Sequence, residues 1–128
     1  MNVPENLKYS KEHEWVRVEG AEAVVGITDF AQHELTEIVF VELPAVGKEV
    51  KKGDPLAVVE SVKAVSDVYS PISGKVAAVN SGLEDAPELV NNSPYDEGWM
   101  VRLAVSDAGE VEGLMDAGAY MQFIQEKS

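Results

Sequence analysis

Hydrophobic and polar positions change period several times along the chain. From Trp15 onward they alternate, with Val16 and Val18 on one face and Trp15 and Arg17 on the other, the two-residue period of a strand. Gly20 ends that run and permits a tight turn, so Glu22 to Ile27 reads as the returning strand of a hairpin. Ahead of it, a loose polar start containing Pro4 leads into Leu7 to Ser10, a short edge strand. Thr28-Asp29 offers N-cap chemistry for a short helix, Phe30 to Leu35, with Phe30, Ala31 and Leu35 toward the core. Ile38 to Leu43 is apolar almost throughout, which predicts a central strand, and Pro44 ends it. A short strand is expected between Gly47 and Gly53.

The densest β-forming run spans Val59 to Tyr69. No Gly, Pro or Asn interrupts the chain between Leu56 and Ser70. At about 3.3 Å per residue a single strand of that length is too long for a small domain. The run therefore folds back near its middle, which places Lys63 at or near the tip of a hairpin. Lys63 is the only basic residue between Gly53 and Ser73, and Asp54, Glu60 and Asp67 share the segment.

Beyond it, Ser70 to Gly74 is turn chemistry, and Lys75 to Asn80 alternates as a strand. Asp85-Ala86-Pro87-Glu88 reads as a helix start with an acidic cap and proline in the first turn, and Asn91-Asn92-Ser93-Pro94 stops that helix. Trp99 to Val105 is a further strand. Ala117, Tyr120, Phe123 and Ile124 share one face of a C-terminal helix capped by Asp116. The pattern predicts at least seven strands, two short helices and a terminal helix. The segments Gly53 to Val62 and Ala64 to Asn80 form a weak internal repeat about Lys63. Two sheets packed face to face, with the hairpin protruding from one end, accommodate it. One domain is expected over residues 1–128, with its core over about 7–105 and a helical segment over about 107–127.

Charge changes the list of partners. Against 10 basic residues stand 23 acids, a formal net charge of -13. Such a surface is repelled by phosphate backbones and by anionic membranes, which argues against nucleic-acid or membrane binding. No cysteine is present, so neither disulfides nor thiolate chemistry can come from the chain itself. No apolar run reaches the length of a membrane-spanning helix. The opening Met1-Asn2-Val3-Pro4-Glu5 lacks a basic apolar leader. A bacterial cytoplasmic protein is the expectation, with a processed mitochondrial form as the alternative.

Candidate chemistry is sparse. A nucleophilic lysine must be substantially neutral, whereas Glu60 and Asp67 favour the charged form of Lys63. His13 and His33 are the only histidines, and neither a nucleophile elbow nor a metal-ligand spacing accompanies them. Glu84-Asp85 lies in a turn ahead of a helix, and there is no glycine-rich phosphate loop. A small acidic β-sandwich that presents one lysine and has no catalytic or metal constellation is a carrier or binding module rather than an enzyme.

Several long segments, in order, resemble the H-protein family of the glycine cleavage system over nearly the whole chain. They are Lys11-Glu12-His13-Glu14-Trp15-Val16, then Val25 to Gln32 and Val39 to Pro44. Val59 to Pro71, Leu83 to Asn91 and Pro94 to Met100 follow. The resemblance implies a mainly β, lipoyl-domain-like barrel-sandwich of two antiparallel sheets with short helices and a C-terminal helix. It implies lipoic acid joined to Lys63 by an amide, in a loop context of Glu60, Ser61, Val62, Ala64 and Asp67. The protein is then a monomeric carrier and a substrate of several enzymes. These are a pyridoxal-phosphate glycine decarboxylase, a tetrahydrofolate-dependent aminomethyltransferase, dihydrolipoamide dehydrogenase and the lipoyl-attaching enzymes. Glu60 and Asp67 are candidates to orient docking; His13, Glu14 and His33 are candidates to shelter the loaded arm.

Three other readings use the same lysine differently. A lipoyl-assembly or lipoyl-relay scaffold supplying other proteins would need the same attachment site. A biotinyl carrier typically sets methionines beside the lysine, where Val62 and Ala64 stand here. An unmodified interaction protein would carry no lipoyl adduct. One position departs from the family pattern: Thr36 occupies the place after the first helix where glycine is common, and threonine is strained there if φ is positive.

Overall fold

In the computed structural model, which describes residues 2–127, the early alternation becomes antiparallel pairing. Strands β1 (Lys8–Tyr9), β2 (Glu14–Glu19) and β3 (Glu22–Ile27) form a meander. Gly20 turns β2 into β3 at φ 66°, a left-handed conformation that costs glycine little. Trp15 pairs with Gly26 across this hairpin, and its indole lies 2.8 Å from where a Cβ on residue 26 would stand. Glycine there is a requirement of packing.

Strand β4 (Ile38–Glu42) follows α1 (Asp29–Leu35), and β5 (Glu49–Val50) precedes β6 (Pro55–Ser61) and β7 (Val65–Tyr69). Strands β8 (Gly74–Val79) and β9 (Val101–Val105) complete two antiparallel sheets. The larger runs β1-β2-β3-β9-β8-β5 and the smaller β4-β6-β7. Val16, Val25, Val76 and Leu103 of the first meet Val41, Leu56, Val59 and Val68 of the second in one buried cluster. Each such side chain contributes roughly 1.5–3 kcal/mol when removed from water. The expected face-to-face sheets are therefore present, and the chain crosses between them from β3 to β4, from β4 to β5, from β5 to β6 and, at the turn from Ser70 to Ser73, from β7 to β8.

The opposite face of the larger sheet is covered by α5 (Ala117–Lys127). Tyr120 and Ile124 pack there on Tyr9, Trp15 and Val24. The Tyr9 and Tyr120 rings stack with centroids 4.6 Å apart. Asp116 caps the helix as expected, its Oδ1 accepting from the Ala119 N–H at 2.8 Å. Thr28 caps α1, its Oγ1 accepting from the Ala31 N–H at 3.2 Å.

Two expectations need correction. The apolar run from Ile38 is an edge strand of the smaller sheet, not a central one. A register shift between Ile38 and Phe40 turns consecutive apolar residues outward, and Val39 and Phe40 are 47% and 45% exposed. Apolar content alone does not distinguish an edge from a centre when a bulge breaks the period. The segment around Pro87 is two single-turn helices rather than one: α2 (Gly82–Asp85) ends where a start was expected, and α3 (Leu89–Asn92) begins beyond the proline. Ala86, the residue before proline, sits at φ -134° and ψ 66°, outside the helical region that proline disfavours for its predecessor. A further turn, α4 (Gly109–Glu112), lies inside the segment expected to be helical and ahead of the Asp116 cap; its Glu110 carboxylate accepts from the Ser73 N–H at 2.7 Å.

Candidate functional site: a lysine on a seated hairpin tip

Strands β6 and β7 pair from Pro55↔Tyr69 to Glu60↔Val65, and Val62, Lys63 and Ala64 reverse the chain between Ser61 and Val65. Serine supplies this turn with the closure that glycine chemistry supplies elsewhere. The Ser61 N–H donates to the Ala64 carbonyl at 2.8 Å. Ser61 Oγ accepts from the Lys63 N–H at 3.1 Å and the Ala64 N–H at 3.0 Å. Lys63 is exposed, and the flanking Val62 and Val65 are 67% and 66% exposed.

The tip rests on the connection between α1 and β4. The Val62 N–H donates to the Glu37 carbonyl at 3.0 Å, and Lys63 Nζ donates to the Glu34 carbonyl at 3.3 Å. Glu34 lies in the last turn of α1, where unpaired carbonyls carry partial negative charge and favour a cation. Between these two contacts Thr36 adopts φ 67° and ψ -146°, so the position that departs from the family's glycine does have positive φ. Asn91 of α3 surrounds the same connection: its Oδ1 accepts from the Ile38 N–H at 2.9 Å, and its Nδ2 donates to the Thr36 carbonyl at 2.8 Å. Sequence reasoning treated Asn91 only as a helix stop and did not single out Glu34 or Glu37. Backbone carbonyls leave no mark in a residue pattern.

The acids that flank Lys63 in sequence do not pair with it. Glu60 stands opposite Val65 and Asp67 opposite Val58 in the hairpin, and among the described residues no ion pair involves Lys63. The three candidates for sheltering the arm face different hollows. His13 lines one of ≈ 390 Å³, bounded by Phe30, Ala31, Glu34, Leu35 and Ser66. This hollow shares Glu34 with the lysine contact, and Ser66 lies on β7 just beyond the tip. His33 faces the other side of α1, in a hollow of ≈ 470 Å³ with Val3, Met121 and Ile124. Glu14 borders a third, of ≈ 400 Å³, with Tyr9, Tyr69, Ser70 and Leu114.

Glu14 is 2% exposed. The Ser10 hydroxyl donates to its Oε1, and the Tyr69 N–H donates to Oε2 at 3.2 Å. Burial pushes its carboxyl up to about 7, against the lowering effect of both hydrogen bonds. His13 is held by ring contact with Phe30, centroids 4.7 Å apart, and by Tyr120, whose hydroxyl lies 2.9 Å from Nδ1. No group of three or more metal-ligating side chains occurs among the described residues.

A two-sheet sandwich that presents one exposed lysine on a hairpin tip has the architecture of a carrier or binding module. The family model described as "Glycine cleavage H-protein" matches residues 7–127. The chain is 56% identical to the glycine cleavage system H protein of Anaeromyxobacter sp. (strain K) over 127 residues, 99% of each chain. It is 57% identical to that of Bacillus licheniformis over 126 residues, 98% of this chain and 99% of the relative. The crystal structure of a glycine cleavage system H protein from Mycobacterium marinum superposes with TM-score 0.86 at 35% identity, covering 94% of this chain and 97% of the other. The chain belongs to the glycine cleavage H-protein family. It is a lipoyl carrier of the glycine cleavage system, not an enzyme, and the family carries lipoic acid covalently on a lysine.

Proposed function

We propose that Lys63 is the lipoyl-bearing residue. The observation that carries this reading is its position: an exposed amine on a three-residue tip between β6 and β7, with no carboxylate ion-paired to it among the described residues. The chain supplies no thiol of its own, and the lipoyl group, when bound, supplies a redox-active disulfide able to carry an aminomethyl group and reducing equivalents. What the protein contributes is placement. Acylation removes the positive charge of Lys63, leaving Asp54, Glu60 and Asp67 uncompensated along the segment. One N–H remains on Nζ, so the contact with the Glu34 carbonyl survives modification.

Acting as a carrier, the protein serves the pyridoxal-phosphate glycine decarboxylase, the tetrahydrofolate-dependent aminomethyltransferase and dihydrolipoamide dehydrogenase in turn, after the lipoyl-attaching enzymes have modified it. The hollow beside His13 is where the arm rests between visits: Glu34 borders both this hollow and that of His33, but the His13 hollow also reaches Ser66 of the hairpin. His33 and Glu14 border separate hollows. Glycine decarboxylation and exchange measured with purified partner enzymes test the assignment. Lys63→Arg keeps the charge but offers no amine for acylation, and it is expected to abolish both lipoyl attachment and glycine turnover. An active Lys63→Arg protein would show that another residue carries the group.

A further inference from the structure

The hairpin tip closes on itself through Ser61, but its orientation against the rest of the molecule depends on the connection from Leu35 to Ile38. Locally that connection is held only at Thr36, whose N–H donates to the Gln32 carbonyl at 2.9 Å and whose Oγ1 donates to the Leu35 carbonyl. Thr36 occupies a left-handed region with ψ -146°, where a residue with a Cβ persists only if its surroundings impose it. The imposing group is the side-chain amide of Asn91, which arrives from a part of the chain 53–59 residues away. Its hydrogen-bonding groups converge on this region. Oδ1 accepts from the Ile38 N–H at 2.9 Å, while Nδ2 donates to the Thr36 carbonyl at 2.8 Å and to Gln32 Oε1 at 2.9 Å. Glu37 is held between two residues that Asn91 fixes, and it is the Glu37 carbonyl that receives the Val62 N–H at 3.0 Å.

We infer that Asn91 is a positioning residue for Lys63: by holding the Thr36–Ile38 backbone it fixes the seat on which the lipoyl hairpin rests, and so the direction in which Lys63 is offered to the enzymes that acylate it. The inference rests on Lys63 as the lipoyl residue. It assigns to Asn91 a role distinct from ending α3. Loosening the seat leaves the amine and its chemistry intact but spreads its orientations, which weakens productive encounter more than the acylation step itself.

Three variants of the full, unmodified chain test this: Asn91→Ala, Asn91→Asp and the double variant Asn91→Ala with Thr36→Gly. Asn91→Asp keeps an acceptor for the Ile38 N–H and loses the donor to Thr36, so it covers the case in which alanine prevents folding. Amide hydrogen exchange is read at Val62 against Val59 and Val101, and acylation kinetics are measured with a lipoyl-attaching enzyme, lipoic acid and ATP. Loss of a hydrogen-bonded seat is expected to raise Val62 exchange by about tenfold, with Val59 and Val101 within about twofold. KM for the protein is expected to rise by about tenfold with kcat within about twofold. Thr36→Gly, which lets the connection adopt the same backbone without strain, is expected to recover about a third or more of each loss on a logarithmic scale. Unchanged Val62 exchange, an equal loss of protection at all three amides, an unchanged KM, or no recovery in the double variant overturns the inference. A lipoyl group mapped in the wild type to a residue other than Lys63 overturns the site assignment instead, and the Val62 exchange data then still decide whether Asn91 holds the seat.

Discussion

Replacing Thr36 by glycine is expected to stabilise the protein. The residue sits at φ 67° and ψ -146°, a region that costs about 1–3 kcal/mol for a side chain with a Cβ. Glycine removes that cost and adds about 0.5–1 kcal/mol of chain entropy in the unfolded state. The net gain is about 1 kcal/mol. Thr36 is exposed, so no packing is lost, and its exposed Oγ1 bond to the Leu35 carbonyl is absent from the glycine and alanine variants alike. Its N–H bond to the Gln32 carbonyl at 2.9 Å and its carbonyl bond to Asn91 are backbone contacts that glycine keeps. With about 2.1 cal/mol/K of unfolding entropy per residue over 128 residues, the melting temperature rises by about 4 °C. Calorimetry on wild type, Thr36→Gly and Thr36→Ala measures it. Alanine retains the Cβ at positive φ and is expected to give no gain. A glycine variant that melts at or below wild type, or an alanine variant that gains as much, would refute the backbone account.

Glu14 predicts a pH effect of defined sign. Its folded carboxyl titrates at about 7 against an ordinary 4.5, so between those values the unfolded chain has released a proton that the folded protein still holds. Stability therefore falls as pH rises through that window, by on the order of 3 kcal/mol. Glu14→Gln keeps an acceptor for the Tyr69 N–H and turns its amide N–H toward Ser10, whose hydroxyl then accepts instead of donating, and its stability relative to wild type is expected to increase between about pH 5 and about pH 8. Urea unfolding at both values measures this, and a difference independent of pH contradicts it. Tyr120→Phe removes the hydroxyl that lies 2.7 Å from Thr28 Oγ1 and 2.9 Å from His13 Nδ1. It is expected to cost about 1–2 kcal/mol, seen as a lower urea midpoint at unchanged m; an unchanged midpoint would assign α5 no hold on the α1 cap.

Local pattern made the strands and caps legible because their causes are local. Trp15 to Glu19 alternates and the Gly20 turn makes Glu22 to Ile27 its returning strand, Thr28 and Asp116 are good capping residues, and an uninterrupted run too long for one strand has to fold back near Lys63. The edge position of β4 was not legible, since Ile38 to Leu43 has the composition of a buried strand and the shift between Ile38 and Phe40 arises from pairing with β6. Nor did the helix pattern around Asp85 reveal two turns separated by Pro87. At the site, the lysine on a hairpin tip could be read directly, whereas Ser61 enters only through the family resemblance and its closing of the turn is visible in the structure alone. The seat beneath them could not be read, because it consists of the Glu34 and Glu37 carbonyls and an asparagine from a distant helix. The family resemblance groups His13, Glu14 and His33 around one arm, yet they line separate hollows, and residue type alone does not reveal that separation.

Peptide-mapped mass spectrometry of the protein purified from its native cell tests the central claim most directly. The account predicts a lipoyl adduct on the peptide containing Lys63, assigned by fragmentation to that residue, with the other lysines unmodified. A lipoyl adduct localised to a different lysine, or a protein carrying none in cells that are cleaving glycine, would contradict it.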